Sequence, residues 1–162
     1  MSASADIAEI DLANPGHLAG LRALLDEYAR TPEGGGAPLA ADTLDRLPAV
    51  LAASGCYAGW LAFVDGTPAG LVNCFAGVST FRARPLLNIH DIVVSAPFRR
   101  RGIGRALLAA AEAGARARGC CKLTLEVLEG NARAIAAYRQ AGFAPYELDP
   151  AMGRAMFFEK KL

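Results

Sequence analysis

The sequence predicts one α/β (or α+β) domain spanning residues 1–162, built on a sheet with helices on both faces. Three observations lead there. The chain opens on two stretches of helical periodicity, passes through two apolar runs of strand length, and then alternates strand and helix patterns. The two apolar runs are joined by Asp65-Gly66-Thr67-Pro68, a strong hairpin signal. Beyond them, Asn88–Ala117 (NIHDIVVSAPFRRRGIGRALLAAAEAGARA) reads as a buried strand, a break and an Ala/Leu-rich helix. A chain of 162 residues is near the commonest domain size, and a hydrophobic share of 53% suffices for a sizeable core.

Taken in order, Ile7–Leu12 sets Ile7, Glu9 and Asp11 against Ala8, Ile10 and Leu12, a first strand with Ile7 on its polar side. Asn14-Pro15 fits an N-cap and first helical residue, and Leu18, Leu21, Leu25 and Tyr28 carry that helix to about Arg30. Asp26 and Glu27 lie off the apolar stripe, either as solvated surface or as the acidic wall of a cleft for cationic amines. Pro32-Glu33-Gly34-Gly35-Gly36 ends the helix in a loop. Asp42 can cap a second helix to about Ala53, with Leu44, Leu47 and Leu51 on one side and Pro48 kinking or shortening it. Cys56–Val64 and Ala69–Val78 are the hairpin strands, and Ser79–Leu86 is a loop leading to the strand Ile89–Val94. Gly119 stops the long helix and Lys122–Val127 forms a further strand. Asn131 caps a helix that turns Ile135, Tyr138 and Ala141 inward and ends at Gly142. Phe143–Tyr146 and Arg154–Lys160 are expected as two final strands.

Composition excludes several classes. No run approaches the roughly 18–20 apolar residues of a membrane span. The opening MSASADIAEID lacks the basic-then-apolar pattern of a secretory leader, so a cytoplasmic location without a membrane partner is expected. A net charge of +1 argues against a general nucleic-acid-binding surface. The charge is nevertheless uneven, because Arg99–Arg118 holds six arginines against one acid, Glu112. Cys56, Cys74, Cys120 and Cys121 have no metal-ligand spacing, and no metal is expected. Adjacent Cys120 and Cys121 would point to opposite faces of a strand, and all four read as packing residues.

The chemistry concentrates where Ser95-Ala96-Pro97 breaks the strand and RRRGIG opens the helix. A glycine-rich turn entering a helix presents unpaired backbone N–H groups at the positive end of the helix dipole, a site for phosphate. Arg99, Arg100 and Arg101 add charge-assisted donors for the same anion. The turn is not a dinucleotide fingerprint, and no Gly-Lys-Ser/Thr follows to make it a P-loop.

The order is narrower than a glycine loop alone: apolar strand, Pro97, Phe98, Arg99-x-x-Gly102-x-Gly104, helix. It resembles the acetyl-CoA motif of the GNAT (general N-acetyltransferase) superfamily, whose pattern is Arg/Gln-x-x-Gly-x-Gly/Ala. Asn131, Tyr138 and Gly142-Phe143 resemble that family's later motif at its usual separation. The resemblance covers about Val64–Phe143 and is nearest in local pattern to diamine-acetyltransferase-like members. It implies the GNAT fold, with a mixed, mostly antiparallel central sheet splayed at the cofactor strand. It also implies an enzyme that moves the acetyl group of acetyl-CoA to a primary amine of a small molecule. Transfer would be by direct attack through a tetrahedral intermediate, with CoA as product. A protein N-terminal or lysine acetyltransferase and a non-catalytic acetyl-CoA-binding module are the alternatives. A homodimer is expected only because many relatives pair through their last strands.

Such a transfer needs a fixed cofactor, a neutral amine, a stabilised oxyanion and a proton for the departing thiolate. The first need falls to Arg99, Arg100, Arg101, Gly102, Ile103, Gly104 and Arg105, around the pyrophosphate. The resemblance assigns the backbone of Ile92, Val93 and Val94 to the pantetheine arm, with an amide of Val93 or Val94 polarising the thioester carbonyl. It also assigns Asn131 to cofactor contact and Tyr138 to protonating the thiolate, where the plain alternative for Tyr138 is a packed helix aromatic. Diamine-type relatives carry Leu-Glu-Asp where this chain has Ile89-His90-Asp91, which puts His90 in the place of the base. Histidine accepts a proton near neutral pH. The base stays open between His90, Glu126 and ordered water. Strand alternation groups His90 with Ile92 and Val94, and Asp91 with Ile89 and Val93, unless a bulge intervenes.

Overall fold

A computed structural model describes residues 5–162. The elements are β1 (Asp6–Glu9), α1 (Pro15–Ala29), α2 (Ala41–Ser54), β2 (Tyr57–Val64), β3 (Thr67–Ser79), β4 (Arg84–Val94), α3 (Ile103–Ala117), β5 (Leu123–Leu125) and α4 (Ala132–Gln140). They build one mixed sheet in the order β1-β2-β3-β4-β5, antiparallel except for the parallel β4–β5 pair. The β2–β3 turn uses positive φ at Asp65 (49°) and Gly66 (74°), the combination a two-residue hairpin favours. Pairing of β3 with β4 continues to Ser79–Arg84, so the connection is the turn Thr80–Ala83. The expected loop over Ser79–Leu86 is therefore largely a second hairpin, extended by cross-strand hydrogen bonds that a short apolar window does not reveal.

Both faces of the sheet are buried. On one face Trp60, Val72, Cys74, Leu87 and Ile89 meet Ile103, Leu107, Leu108 and Ala111 of α3. On the other, Leu61, Leu71 and Val93 meet Leu21 and Leu24 of α1 and Leu51 of α2. Ile7 joins the first cluster while Ile10 and Leu12, just beyond β1, join the second, so Ile7 is not on a wrong side. The Asn14 side chain caps α1, accepting from the Gly16 and His17 amides. Ala40, not Asp42, is the N-cap of α2, and Asp42 instead pairs with Arg46 one turn on at 3.0 Å. Pro48 stays inside α2. Its missing N–H leaves the Leu44 carbonyl without an intrahelical donor, and Arg22 Nε of α1 fills that place at 2.9 Å.

The two expected final strands do not form. Phe143–Leu162 contains only the short 3₁₀ turn Pro150–Met152. Pro145 removes a ladder donor from the first expected strand. The second finds no partner along β5, which is three residues long. Met156, Phe157 and Phe158 consequently stand 74%, 80% and 79% exposed. Among the described residues, no helix is long and apolar enough to cross a membrane.

Candidate active site

The site begins where the sheet comes apart. β4 pairs with β5 only at Leu87–Leu123, Asn88–Thr124 and Ile89–Leu125. From His90 to Val94, β4 has β3 on one side and no strand on the other among the described residues, which leaves that backbone edge open. The β3–β4 register also steps from Asn73–Asp91 to Cys74–Ile89, making His90 the extra residue of a bulge. The bulge corrects the grouping drawn from simple alternation. Ile89 packs with Ile92 and Val94 on the α3 face, and Val93 packs on the α1 face. The His90 ring stands edge-on to Phe75 of the α1-face cluster, with centroids 5.4 Å apart. Asp91 turns to the same side, bonded to Asn73 at 3.0 Å.

The loop after β4 is held from several directions. Glu27 of α1 accepts from the Ala96 amide at 3.0 Å, and Arg99 Nε donates to the Val94 carbonyl at 3.2 Å. Arg100 and Gly102 both adopt positive φ, 63° and 79°. A left-handed arginine is strained, and such strain collects at binding loops. Unlike α1 and α4, α3 has no side-chain cap, so its first amides are left free to bind an anion. A Cβ on Gly102 would meet nothing within 4 Å, and one on Gly104 only Val94 Cγ2 at 3.7 Å. Open space therefore lies over the loop, as an incoming diphosphate requires.

A cleft of about 380 Å³ gathers most of the expected site: Ile92, Val93 and Val94, then Arg99, Arg100, Gly102, Ile103 and Gly104, with His90, Asn131 and Tyr138. Glu126 lines it too. Arg101 and Arg105 fall outside. The Arg101 guanidinium lies over the Phe98 ring at 5.5 Å, and Arg105 lines a neighbouring groove beside Cys120, Cys121 and Phe143. The two cysteines face that one groove together, because they precede β5 and strand alternation does not apply to them. Asp26 and Glu27 do not wall the cleft. Asp26 accepts from the Leu39 amide and pairs with Arg30, contacts that hold its carboxyl below the usual carboxylate range. Glu27 anchors the loop, as described.

Asn131 uses its side-chain oxygen to cap α4 at the Ala134 amide, 3.1 Å away. Tyr138 packs edge-on to Phe143, and no described residue hydrogen-bonds its hydroxyl. Burial, and secondarily Tyr28, pushes the Tyr138 phenol above its ordinary range, keeping it a proton donor. Tyr28, Thr31 and Glu33 also line the cleft and were not expected there. Tyr28 lay in plain view on the apolar stripe of α1, whereas Glu33 sits in a Pro/Gly loop that gives no such signal.

A model of the acetyltransferase (GNAT) family matches residues 21–143. The chain belongs to the GNAT family. Streptothricin acetyltransferase of Streptomyces lavendulae is 47% identical over 88 residues, covering 54% of this chain and 44% of that protein. An uncharacterized N-acetyltransferase of Methanocaldococcus jannaschii is 38% identical over 86 residues, covering 52% and 38%. The chain thus spans less than half the length of these relatives. Among solved structures, an aminoglycoside acetyltransferase from an uncultured soil metagenomic sample, in complex with sisomicin, superposes with a TM-score of 0.79. Its identity is 15%, covering 98% of this chain and 96% of that one. The aminoglycoside N-acetyltransferase AAC(6')-Iy in complex with CoA gives 0.74 at 19% identity, covering 100% and 98%. At such identities the likeness is one of fold.

Proposed function

We propose that this GNAT protein is an acetyl-CoA-dependent N-acetyltransferase acting on a primary amine of a small, cationic molecule. The observation that carries the reading is the open β4 edge, Ile92–Val94, facing the same cleft as the uncapped start of α3 and the Tyr138 hydroxyl. Bound acetyl-CoA would supply an acetyl group activated as a thioester. The amides of Gly102–Gly104, with Arg99 and Arg100, hold its diphosphate. The Ile92–Val94 backbone aligns the pantetheine arm and offers an N–H toward the thioester oxygen. His90, the extra residue of the bulge and part of the cleft wall, takes the proton from the acceptor ammonium, directly or through water. Tyr138 donates a proton to the departing sulfur and is reprotonated, directly or through water, by the second proton that the attacking nitrogen loses.

Direct transfer, without an acyl-enzyme, is supported by where the thiols lie. Cys74 is wholly buried, and none of Cys56, Cys120 and Cys121 lines the cleft. The relatives named above for streptothricin and aminoglycosides support a compact, polycationic acceptor. An acceptor panel tests the reading: streptothricin, an aminoglycoside, a polyamine, and peptides presenting a free N-terminus or a lysine, each followed by mass spectrometry of the product. Acetylation of the small amines with far higher kcat/KM than the peptides is expected. Preference for the peptides would replace the small-molecule reading with a protein-directed one.

A further inference from the structure

The loop that presents the free amides of α3 is tied to α1 by a single hydrogen bond. β4 pairing runs on to the Ser95 amide, which donates to the Ala69 carbonyl of β3 at 2.9 Å. The chain then passes through one 3₁₀ turn, Ala96–Phe98, and Phe98 packs against the α3-face cluster. Such a turn begins with amides that have no partner inside it. Pro97 has no N–H, and the Phe98 amide donates to the Ser95 carbonyl at 2.9 Å. That leaves the Ala96 amide, which the Ser95 side chain does not cap. The Glu27 carboxylate accepts from it instead at 3.0 Å, from 69 positions earlier in the sequence. Among the described residues, no other hydrogen bond joins residues 96–102 to a segment outside residues 94–106.

Ala96 is exposed, so water would satisfy its amide, and no buried orphan calls for a carboxylate there. Charge argues against one as well. The loop receives a diphosphate on the reading given above, and a carboxylate at its entrance repels that anion. What the carboxylate supplies, and water does not, is a fixed link to a helix packed on the sheet. Leu21 and Leu24 of α1 share one buried cluster with Val93 of β4, just before the loop. The loop needs such fixing. Arg100 holds a φ of 63° and Gly102 one of 79°, and a left-handed arginine persists only where its surroundings over-determine it. Tyr28 lines the cleft but Glu27 does not, so any effect of Glu27 on a bound cofactor passes through the loop.

We propose that Glu27 is a positioning residue for acetyl-CoA: by capping the Ala96 turn it holds Arg99–Gly104 in the shape that receives the diphosphate. The proposal rests on the placement of acetyl-CoA in the cleft given above. It gives α1 a part in cofactor binding although no cofactor contact comes from Glu27 itself.

Calorimetric titration of the parent and three variants with acetyl-CoA tests it without turnover. Glu27→Ala removes the acceptor and is expected to weaken binding by about tenfold, in line with loss of one hydrogen bond to a charged group. Glu27→Gln keeps an acceptor oxygen without the charge and should stay within about threefold of the parent. Ala96→Pro removes the donor, and the extended backbone of Ser95 before it, with ψ at 140°, accommodates a proline. It should weaken binding as Glu27→Ala does, and the two together should lose no more than either alone, because they break the same bond. Melting temperatures are expected within about 2 °C of the parent, since Ala96 is exposed and Glu27 half-buried. Acetyl-CoA bound as tightly by Glu27→Ala as by the parent, or more tightly, overturns the positioning role and leaves only charge repulsion. Glu27→Gln as weak as Glu27→Ala, or additive losses in the double variant, overturns it too. If Glu27→Ala folds poorly, Glu27→Gln against Ala96→Pro decides: equal affinities overturn the role. A parent that binds no acetyl-CoA overturns the cofactor placement itself, and this role with it.

Discussion

Gly104→Val separates the phosphate-site role of the loop from its role in folding. In the structure a Cβ at residue 104 meets only Val94 Cγ2 at 3.7 Å, an ordinary contact. Valine and glycine differ by only about 0.3 kcal/mol in helix propensity, which for a chain of this size moves Tm by about 1 °C. The branched side chain would instead occupy the open space over the first amides of α3, where the diphosphate is placed. Loss of one charge-assisted backbone contact removes about 1.5–3 kcal/mol, or about 10- to 100-fold in acetyl-CoA affinity. Gly104→Ala should bind nearly as the parent does, since the motif pattern admits alanine at that place. Gly102→Ala is the opposite control. Its φ of 79° strains any L side chain, so about 1–2 kcal/mol of stability and roughly 2–8 °C in Tm should be lost. Isothermal titration of each variant with acetyl-CoA, beside a thermal melt, reads both quantities. Parent-like affinity in a well-folded Gly104→Val protein would refute the placement of the phosphates.

Tyr138→Phe should keep the fold and acetyl-CoA affinity but lower kcat by about 10²–10⁴-fold, the usual range for a lost general acid; an equally active variant would return the residue to packing. His90→Ala should lower kcat much more than it lowers acetyl-CoA affinity, and a parent-like rate would move the base to Glu126 or water. Burial pushes the Cys74 thiol up to about 12 from an ordinary value of 9.0, so the unfolded chain ionises first and stability falls as pH rises from 9.0 toward 12. Alkaline melting curves should therefore be shallower for Cys74→Ala than for the parent. Arg22→Ala should destabilise the protein by about 1–3 kcal/mol, because the Leu44 carbonyl beside Pro48 loses its donor; chemical denaturation of Arg22→Ala with and without Pro48→Ala measures how far a restored helix N–H recovers it.

Much of this fold was legible because local chemistry and tertiary structure agree. Asn14-Pro15, the Asp65-Gly66 turn, Asn131 and Gly142 all stand where capping and turn rules put them. The loop from Arg99 to Gly104 and the motif around Tyr138 converge on one cleft, although residues 99 and 138 are far apart in sequence. What escaped depended on contacts across elements. The bulge at His90 is set by the register with Asn73 and Cys74, which one strand's alternation cannot reveal. Asp26 and Glu27 looked free because the Leu39 and Ala96 amides that hold them come from other segments, although the Arg30 partner of Asp26 lies only one turn on. Pro48 read as a helix breaker because its compensation lies on α1. The final strands had apolar residues but no edge long enough to receive them.

The central claim is that acetyl-CoA lies along the open edge of β4, with its diphosphate at the start of α3. Amide chemical-shift mapping during titration of isotopically labelled protein with acetyl-CoA tests this most directly. The largest shifts are expected at Ile92–Val94 and Arg99–Gly104, with smaller ones near Asn131 and Tyr138. Shifts centred on the groove of Arg105, Cys120 and Phe143, or none at saturating acetyl-CoA, would contradict the account.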